Sequence, residues 1–160
     1  MPEALSQHAL DHILAAHRRW LISAGTEGEP ADLRGLDLHG RALWRADLRH
    51  ARLDGCILRG ADLDHADLSE ASLTGACLER ASLWSARLQR TRLTGADLGG
   101  ANLDHADLCE ADLTGAMLAG ASLWGALLYG ATLRDAQGLT AAQLATVCQG
   151  GGTRVAAAGA

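Results

Sequence analysis

The sequence predicts an all-β solenoid, a four-sided β-helix of about five coils with a short α-helix over each end. Two observations carry this. Residues 31–135 fall into 21 consecutive blocks of five, from ADLRG to ATLRD, without insertion or deletion, and each block has Leu at its centre. The residue two before that Leu is Ala in 17 of the 21 blocks, the exceptions being Leu36, Arg41, Cys56 and Thr91. The second observation is an internal duplication: residues 61–85 match residues 101–125 at 18 of 25 positions, an offset of 40.

A period of five fits neither regular element. At about 100° per residue, five residues of α-helix advance about 500°, which sets successive leucines about 140° apart around the cylinder. In a straight strand the side chains alternate, so Leu33 and Leu38 would face opposite sides. A chain that turns one corner per block keeps every Leu and its partner Ala pointing inward. Gly ends many blocks, as at Gly35, Gly40, Gly55, Gly60, Gly75 and Gly95, and relieves the steric cost of a tight corner. The offset of 40 sets the number of corners, since a coil of 15 residues does not divide it and a four-cornered coil of 20 does.

The predicted core is therefore four columns of leucine. They are Leu33, Leu53, Leu73, Leu93, Leu113 and Leu133; Leu38, Leu58, Leu78, Leu98 and Leu118; Leu43, Leu63, Leu83, Leu103 and Leu123; and Leu48, Leu68, Leu88, Leu108 and Leu128. Each buried Leu contributes roughly 1.5–3 kcal/mol, and coils about 4.8 Å apart stack into a rod about 25 Å long. The bore is narrow, since it takes Ala and Leu and the chain has no Phe.

The A(D/N)LxX blocks resemble those of the pentapeptide-repeat family over 105 of 160 residues. That resemblance implies a right-handed quadrilateral β-helix. It implies little about activity, because the family includes inhibitors of DNA gyrase that imitate DNA, secreted effectors and proteins of unassigned role.

Three segments follow in order. Residues 1–30 are expected to form an N-terminal capping helix and linker, because the stretch 4–24 places Leu10, Ile13, Leu14, His17 and Leu21 on one face and Gly25 ends it. A solenoid end exposes apolar core and unpaired edges, and such a helix covers both. His8 and His12 share a helical spacing but read as polar residues on the solvated side. Residues 31–135 form the β-helix, where Arg41 at an inward position is expected to send its side chain out to solvent. Residues 136–160 close the chain. Thr140 can N-cap a short helix over 141–148, which resembles the GLTxxQL closing element of the same family, and Val155 to Ala160 read as a flexible tail.

Composition narrows the function. The net charge is −5 with 14 Arg and no Lys, which leaves no basic footprint for direct nucleic-acid binding. No stretch reads as a secretory leader or a membrane span, so a cytoplasmic protein is expected. The four cysteines show no paired spacing and are expected as free thiols, Cys56 inward and Cys77 and Cys109 outward. No metal or cofactor is expected. Ile57, Cys77 and Met117 make one outward column partly apolar.

The most informative wall carries Trp44, Asp64, Trp84, Asp104 and Trp124 just after its leucines, followed by Arg45, His65, Ser85, His105 and Gly125. Three tryptophans thus recur two coils, about 9.6 Å, apart. Aromatic side chains presented this way anchor binding surfaces, and the expected surface is Trp44, Trp84 and Trp124 with Asp64, Asp104, His65 and His105 between them. The other reading has the indoles merely shielding the coil, a pattern repeated through duplication.

On the remaining walls, charges alternate in sign. Asp67, Arg87 and Asp107 rise in one column and Glu70, Arg90 and Glu110 in the next, and no wall exceeds a net of −2. An imitation of DNA needs a continuous negative strip, which Arg87 and Arg90 interrupt. Catalysis needs convergent groups in a concave pocket, whereas Asp64, His65 and Ser85 lie on an open wall without an oxyanion donor. The sequence thus leads to a non-enzymatic scaffold or protein-binding module for a protein partner of unknown identity. A gyrase-binding DNA mimic and a structural spacer in a larger assembly are the alternatives, and a homodimer through a solenoid end is a further expected contact.

Overall fold

A computed structural model describes residues 5–149, the last four of them by backbone alone. Helix α1 spans Gln7–Ile22 and helix α2 spans Ala141–Gln149, with the coils between them. Eighteen parallel bridges each pair a residue with the one twenty later, from Asp32 with Arg52 to Met117 with Gln137. Four blocks therefore make one coil, and the path is four-sided.

The repeated residues follow from where each block sends its backbone groups. In residues 61–65, the Leu63 N–H donates to the Ser82 carbonyl at 2.8 Å and the Asp62 N–H to the Arg41 carbonyl at 3.0 Å, one bond to each neighbouring coil. The His65 N–H reaches the Trp84 carbonyl at 2.9 Å, and the Ala66 N–H closes the corner on Leu63 at 3.0 Å. Only the Asp64 N–H is left over, and Asp62 Oδ1 accepts it at 3.1 Å. Asp67, Asp97, Asn102 and Asp112 take the corresponding N–H in their own blocks. Asp or Asn before Leu thus satisfies the one donor the ladder omits.

The fifth residue of all 21 blocks has a positive φ, between 52° at Ser85 and 73° at Gly130. Glycine accounts for 11 of these corners, and the other ten carry side chains, among them Arg45, His65, Glu70, Arg90, His105 and Glu110. A left-handed residue with a Cβ costs roughly 1–2 kcal/mol. The ladder bonds on both sides of the corner offset that cost, so glycine is helpful there rather than obligatory.

Twenty of the 21 predicted core leucines are at most 7 % exposed, while Leu123 is only partly buried. The bore beside Leu68 to Leu98 has no room for a water molecule. Thr91 replaces Ala inside it and donates its hydroxyl to the Leu68 carbonyl at 2.8 Å. Cys56 also faces inward, and burial pushes its thiol up to about 12. Cys77 and Cys109 are half-buried free thiols on the walls.

Each helix is tied to its end of the rod by a few specific bonds. Ser6 caps α1, its Oγ accepting from the Ala9 N–H at 3.2 Å. Leu10 and His17 are buried beneath the helix, and His17 Nδ1 accepts the Ala31 N–H at 3.0 Å. Burial lowers the His17 pKa, which keeps the ring neutral and its lone pair available. Arg41 departs from expectation, for its guanidinium does not run out to solvent. It donates to the Leu5 carbonyl at 2.5 Å, because an inward Cα in the first coil points it under the helix entrance.

At the other end, Thr140 and Gln143 form a reciprocal cap, with Gln143 N–H to Thr140 Oγ1 at 3.2 Å and Thr140 N–H to Gln143 Oε1 at 2.9 Å. Gln143 Nε2 also donates to the Ala121 carbonyl at 2.8 Å, which docks α2 on the last coil. The expected tail from Val155 to Ala160 lies outside the described residues.

Candidate binding surface

The three wall tryptophans are exposed, Trp44 by 54 %, Trp84 by 40 % and Trp124 by 71 %. They do not stand as isolated rings. The left-handed corners at His65 and His105 aim each imidazole at the indole of the coil above, with ring centroids 4.7 Å apart for His65 and Trp84 and 4.6 Å for His105 and Trp124. Trp84 and His105 stand 6.3 Å apart, and all three pairs meet edge to face. The result is a four-ring ladder on one wall, a geometry that favours aromatic contact. Trp44 stands below it and carries the Arg45 guanidinium over its own ring at 4.4 Å.

Asp64 and Asp104 have a task the spacing alone did not suggest. Asp64 Oδ1 accepts the Trp84 N–H at 3.0 Å and Asp104 Oδ1 the Trp124 N–H at 2.9 Å. The same oxygens receive the hydroxyls of Ser82 and Ser122. Asp54 clasps Ser72 and the Thr74 N–H in the same way. In these blocks Ser stands where nine other blocks have Asp or Asn before Leu, and an Asp from the coil below supplies the missing acceptor. These carboxylates therefore hold the tryptophan backbones in place. They also leave no Asp-His-Ser relay, since Asp64 serves Ser82 and Trp84 while His65 lies against the indole.

The ladder ends beside a groove of about 580 Å³ lined by Cys109, Leu123, Trp124, Leu127, Tyr129 and Gln143. Helix α2 covers part of the last coil and leaves Leu127 and Tyr129 exposed. No charged residue occurs between Asp112 and Arg134, the longest uncharged stretch of the repeat region.

The other walls are dominated by exposed ion pairs. Arg90 reaches Glu110 at 2.9 Å and Glu70 at 4.0 Å, and Arg87 meets Asp67 at 3.5 Å. The hydrogen-bonded Arg34 guanidinium holds Asp32 down at about 2. Ligand atoms of Cys77, Glu79 and Asp97 lie within 4.8 Å of one another, a grouping that linear spacing conceals because Asp97 comes from the next coil. Arg59 already neutralises Glu79 at 2.6 Å.

The repeats match a family model, Pentapeptide repeats, in eight copies over residues 31–70, 46–85, 86–125 and 96–135. The chain belongs to the pentapeptide-repeat family. Its fold, a right-handed quadrilateral β-helix with a helix at either end, is the one the resemblance implied. No curated protein matches it.

Similar solved structures include Rfr23, a pentapeptide repeat protein of the cyanobacterium Cyanothece 51142, with 28 % identity and a TM-score of 0.49 over 71 % of this chain and 63 % of that one. HetL of the cyanobacterium Nostoc sp. strain PCC 7120, involved in heterocyst differentiation regulation, has 38 % identity and a TM-score of 0.43 over 68 % of this chain and 57 % of that one. Full-length QnrB1, a plasmid-mediated fluoroquinolone resistance protein, has 15 % identity and a TM-score of 0.43 over 79 % and 74 %. The chain spans less than two thirds of the length of the first two.

Among the described residues of this pentapeptide-repeat protein, no helix is long and apolar enough to cross a membrane. The Asp clasp was present in its sequence as a correlation. Asp follows the central Leu only at Asp54, Asp64 and Asp104, and Ser precedes it only at Ser72, Ser82 and Ser122, each 18 residues later.

Proposed function

We propose that this pentapeptide-repeat protein is a non-enzymatic protein-binding module of the cytoplasm, and that its contact surface is the Trp84–His105–Trp124 ladder with the groove at its upper end. One observation carries the reading. Exposed indoles are held in fixed positions by backbone clasps and edge-to-face ring contacts, and they continue into an uncharged, half-covered stretch of coil. Side chains already immobilised lose little entropy on association, which is how rigid aromatic anchors produce affinity.

The test is affinity capture with wild type and a Trp84→Ala, Trp124→Ala double variant. The wild type is expected to retain a protein that the variant releases. Equal retention by both removes this surface from consideration.

The gyrase-binding DNA mimic and the structural spacer are the alternatives. The pairing of Arg87 and Arg90 with their acidic neighbours argues against a continuous phosphate-like strip. A supercoiling assay separates these readings, and inhibition of gyrase at micromolar protein favours the mimic. The uncharged last coil supports one further contact, a homodimer through the C-terminal end. Sedimentation of wild type as a dimer, and of Leu127→Asp as a monomer, is the expected result.

A further inference from the structure

The internal repetition supplies a comparison of three nearly equivalent tryptophans. At Trp44 the next residue is Arg45, whose guanidinium lies 4.4 Å from the ring centroid. At Trp84 and Trp124 the corresponding residues are Ser85 and Gly125, too short to cover an indole. The upper two sites thus have no guanidinium over the indole, and the imidazoles of His65 and His105 from the coil below lie edge to face against them instead.

Charge on that wall is divided in the same way. Its arginines, Arg41 and Arg45, both belong to the first coil, where Arg41 is engaged by the Leu5 carbonyl and Arg45 by Trp44. Above them, residues 61–65, 81–85, 101–105 and 121–125 contribute Asp62, Asp64 and Asp104 and no arginine. Arg80, at the border with the preceding wall, faces Glu79 at 3.9 Å. An indole face attracts a cation through its quadrupole, and neighbouring carboxylates add to that attraction.

We infer that the upper ladder receives the arginine side chains of a basic, extended peptide segment, one guanidinium at Trp84 and one at Trp124, as Arg45 is received at Trp44. The inference rests on the protein-binding reading and specifies the partner's chemistry. Two coils separate the indoles by about 9.6 Å, and three residues of chain in the extended polyproline II conformation span about 9 Å and return to the same face, so arginines at every third position match the spacing.

The experiment uses the full chain and three labelled synthetic peptides read by fluorescence anisotropy. One has arginine at every third position with glycine between, and the others carry citrulline or glutamate at those positions. The arginine peptide is expected to bind at least about tenfold more tightly than the citrulline peptide, with binding that weakens as salt rises. The Trp84→Ala, Trp124→Ala variant is expected to lower its affinity about tenfold or more, while Trp44→Ala, whose ring already carries the Arg45 guanidinium, changes it by less than about twofold. Unchanged circular dichroism shows that the variants remain folded.

Equal binding of the citrulline peptide, no detectable binding of the arginine peptide, or equal losses from all three tryptophans overturns the inference. Tryptophan-dependent binding of the citrulline or glutamate peptide overturns the choice of cation but leaves the binding-module reading standing. That reading falls separately, in the affinity-capture assay.

Discussion

The body of the rod and its two ends are built on opposite principles. Between residues 31 and 135 a single arrangement recurs, with Leu inside and a left-handed fifth residue, and in nine of the blocks Asp or Asn on the spare N–H. At the ends each contact occurs once: His17 to Ala31, Arg41 to Leu5, Gln143 to Ala121. Glycine shows the contrast most directly. A Cβ added at Gly55 or Gly75 would meet nothing within 4 Å, whereas one at Gly28 would lie 2.2 Å from the Ala16 carbonyl oxygen and one at Gly138 would lie 2.4 Å from the Ala119 nitrogen. Repetition spreads specification over many equivalent positions, so a corner tolerates Arg, His or Glu. An end has no neighbouring coil to share its load, so its residues are individually required.

That contrast can be broken or sharpened by measurement. The largest effect belongs inside the body. Leu83→Ala, in the middle of the closed bore, is expected to lower unfolding free energy by about 4 kcal/mol, and Leu123→Ala, already partly uncovered, by about 1 kcal/mol, both from urea titration. Equal losses at the two positions contradict the difference in their burial. Next comes Gly138→Ala, where both a φ of +83° and a backbone clash oppose the side chain, with an expected loss of about 3 kcal/mol. Gly55→Ala, strained only by its φ of +64°, is expected to lose about 1 kcal/mol. Comparable shifts for the two glycines remove the distinction between body and end.

The N-terminal end is also expected to respond to pH. Burial lowers the pKa of His17 in the folded chain, so below the ordinary histidine value of about 6.5 the unfolded chain binds more protons, and the His17 contribution is lost as pH falls toward the folded value. Asp47 and the Arg49 backbone oppose this shift, while the charges of His50 and Arg49 add to it, so replacing the Asp47 or His50 side chain moves the transition. The Ala31 amide should show high hydrogen-exchange protection at pH 8 and reduced protection at pH 5, with amides of the central coils unaffected. Uniform loss along the rod contradicts a local latch. The smallest effect is at the surface, where Arg90→Ala is expected to leave the urea midpoint nearly unchanged in low salt and unchanged in high salt.

Most of the fold was legible in the sequence because the strict period leaves one geometry that keeps every Leu inside. The columns, the four sides and both helices follow from that period, the duplication and the capping residues. Arg41 was misread because an inward position with a long chain has two ways out, and only the position of α1 shows which is closed to solvent. The tryptophan column was visible as spacing. The ladder was not, because it depends on left-handed corners at His65 and His105 that no residue preference for glycine announces. Asp64 and Asp104 looked like surface charges, and their clasp on the coil above emerged from an 18-residue correlation that only the stacked path explains.

By itself the sequence determined the architecture, for a five-residue period with Leu and Ala inside admits a cornered coil and excludes helix and flat strand. The tertiary structure decided what the surface presents. Residues 20 apart become neighbours only when the coil closes, so ring contacts, carboxylate clasps and the open groove beside Trp124 are properties of stacking rather than of any single block.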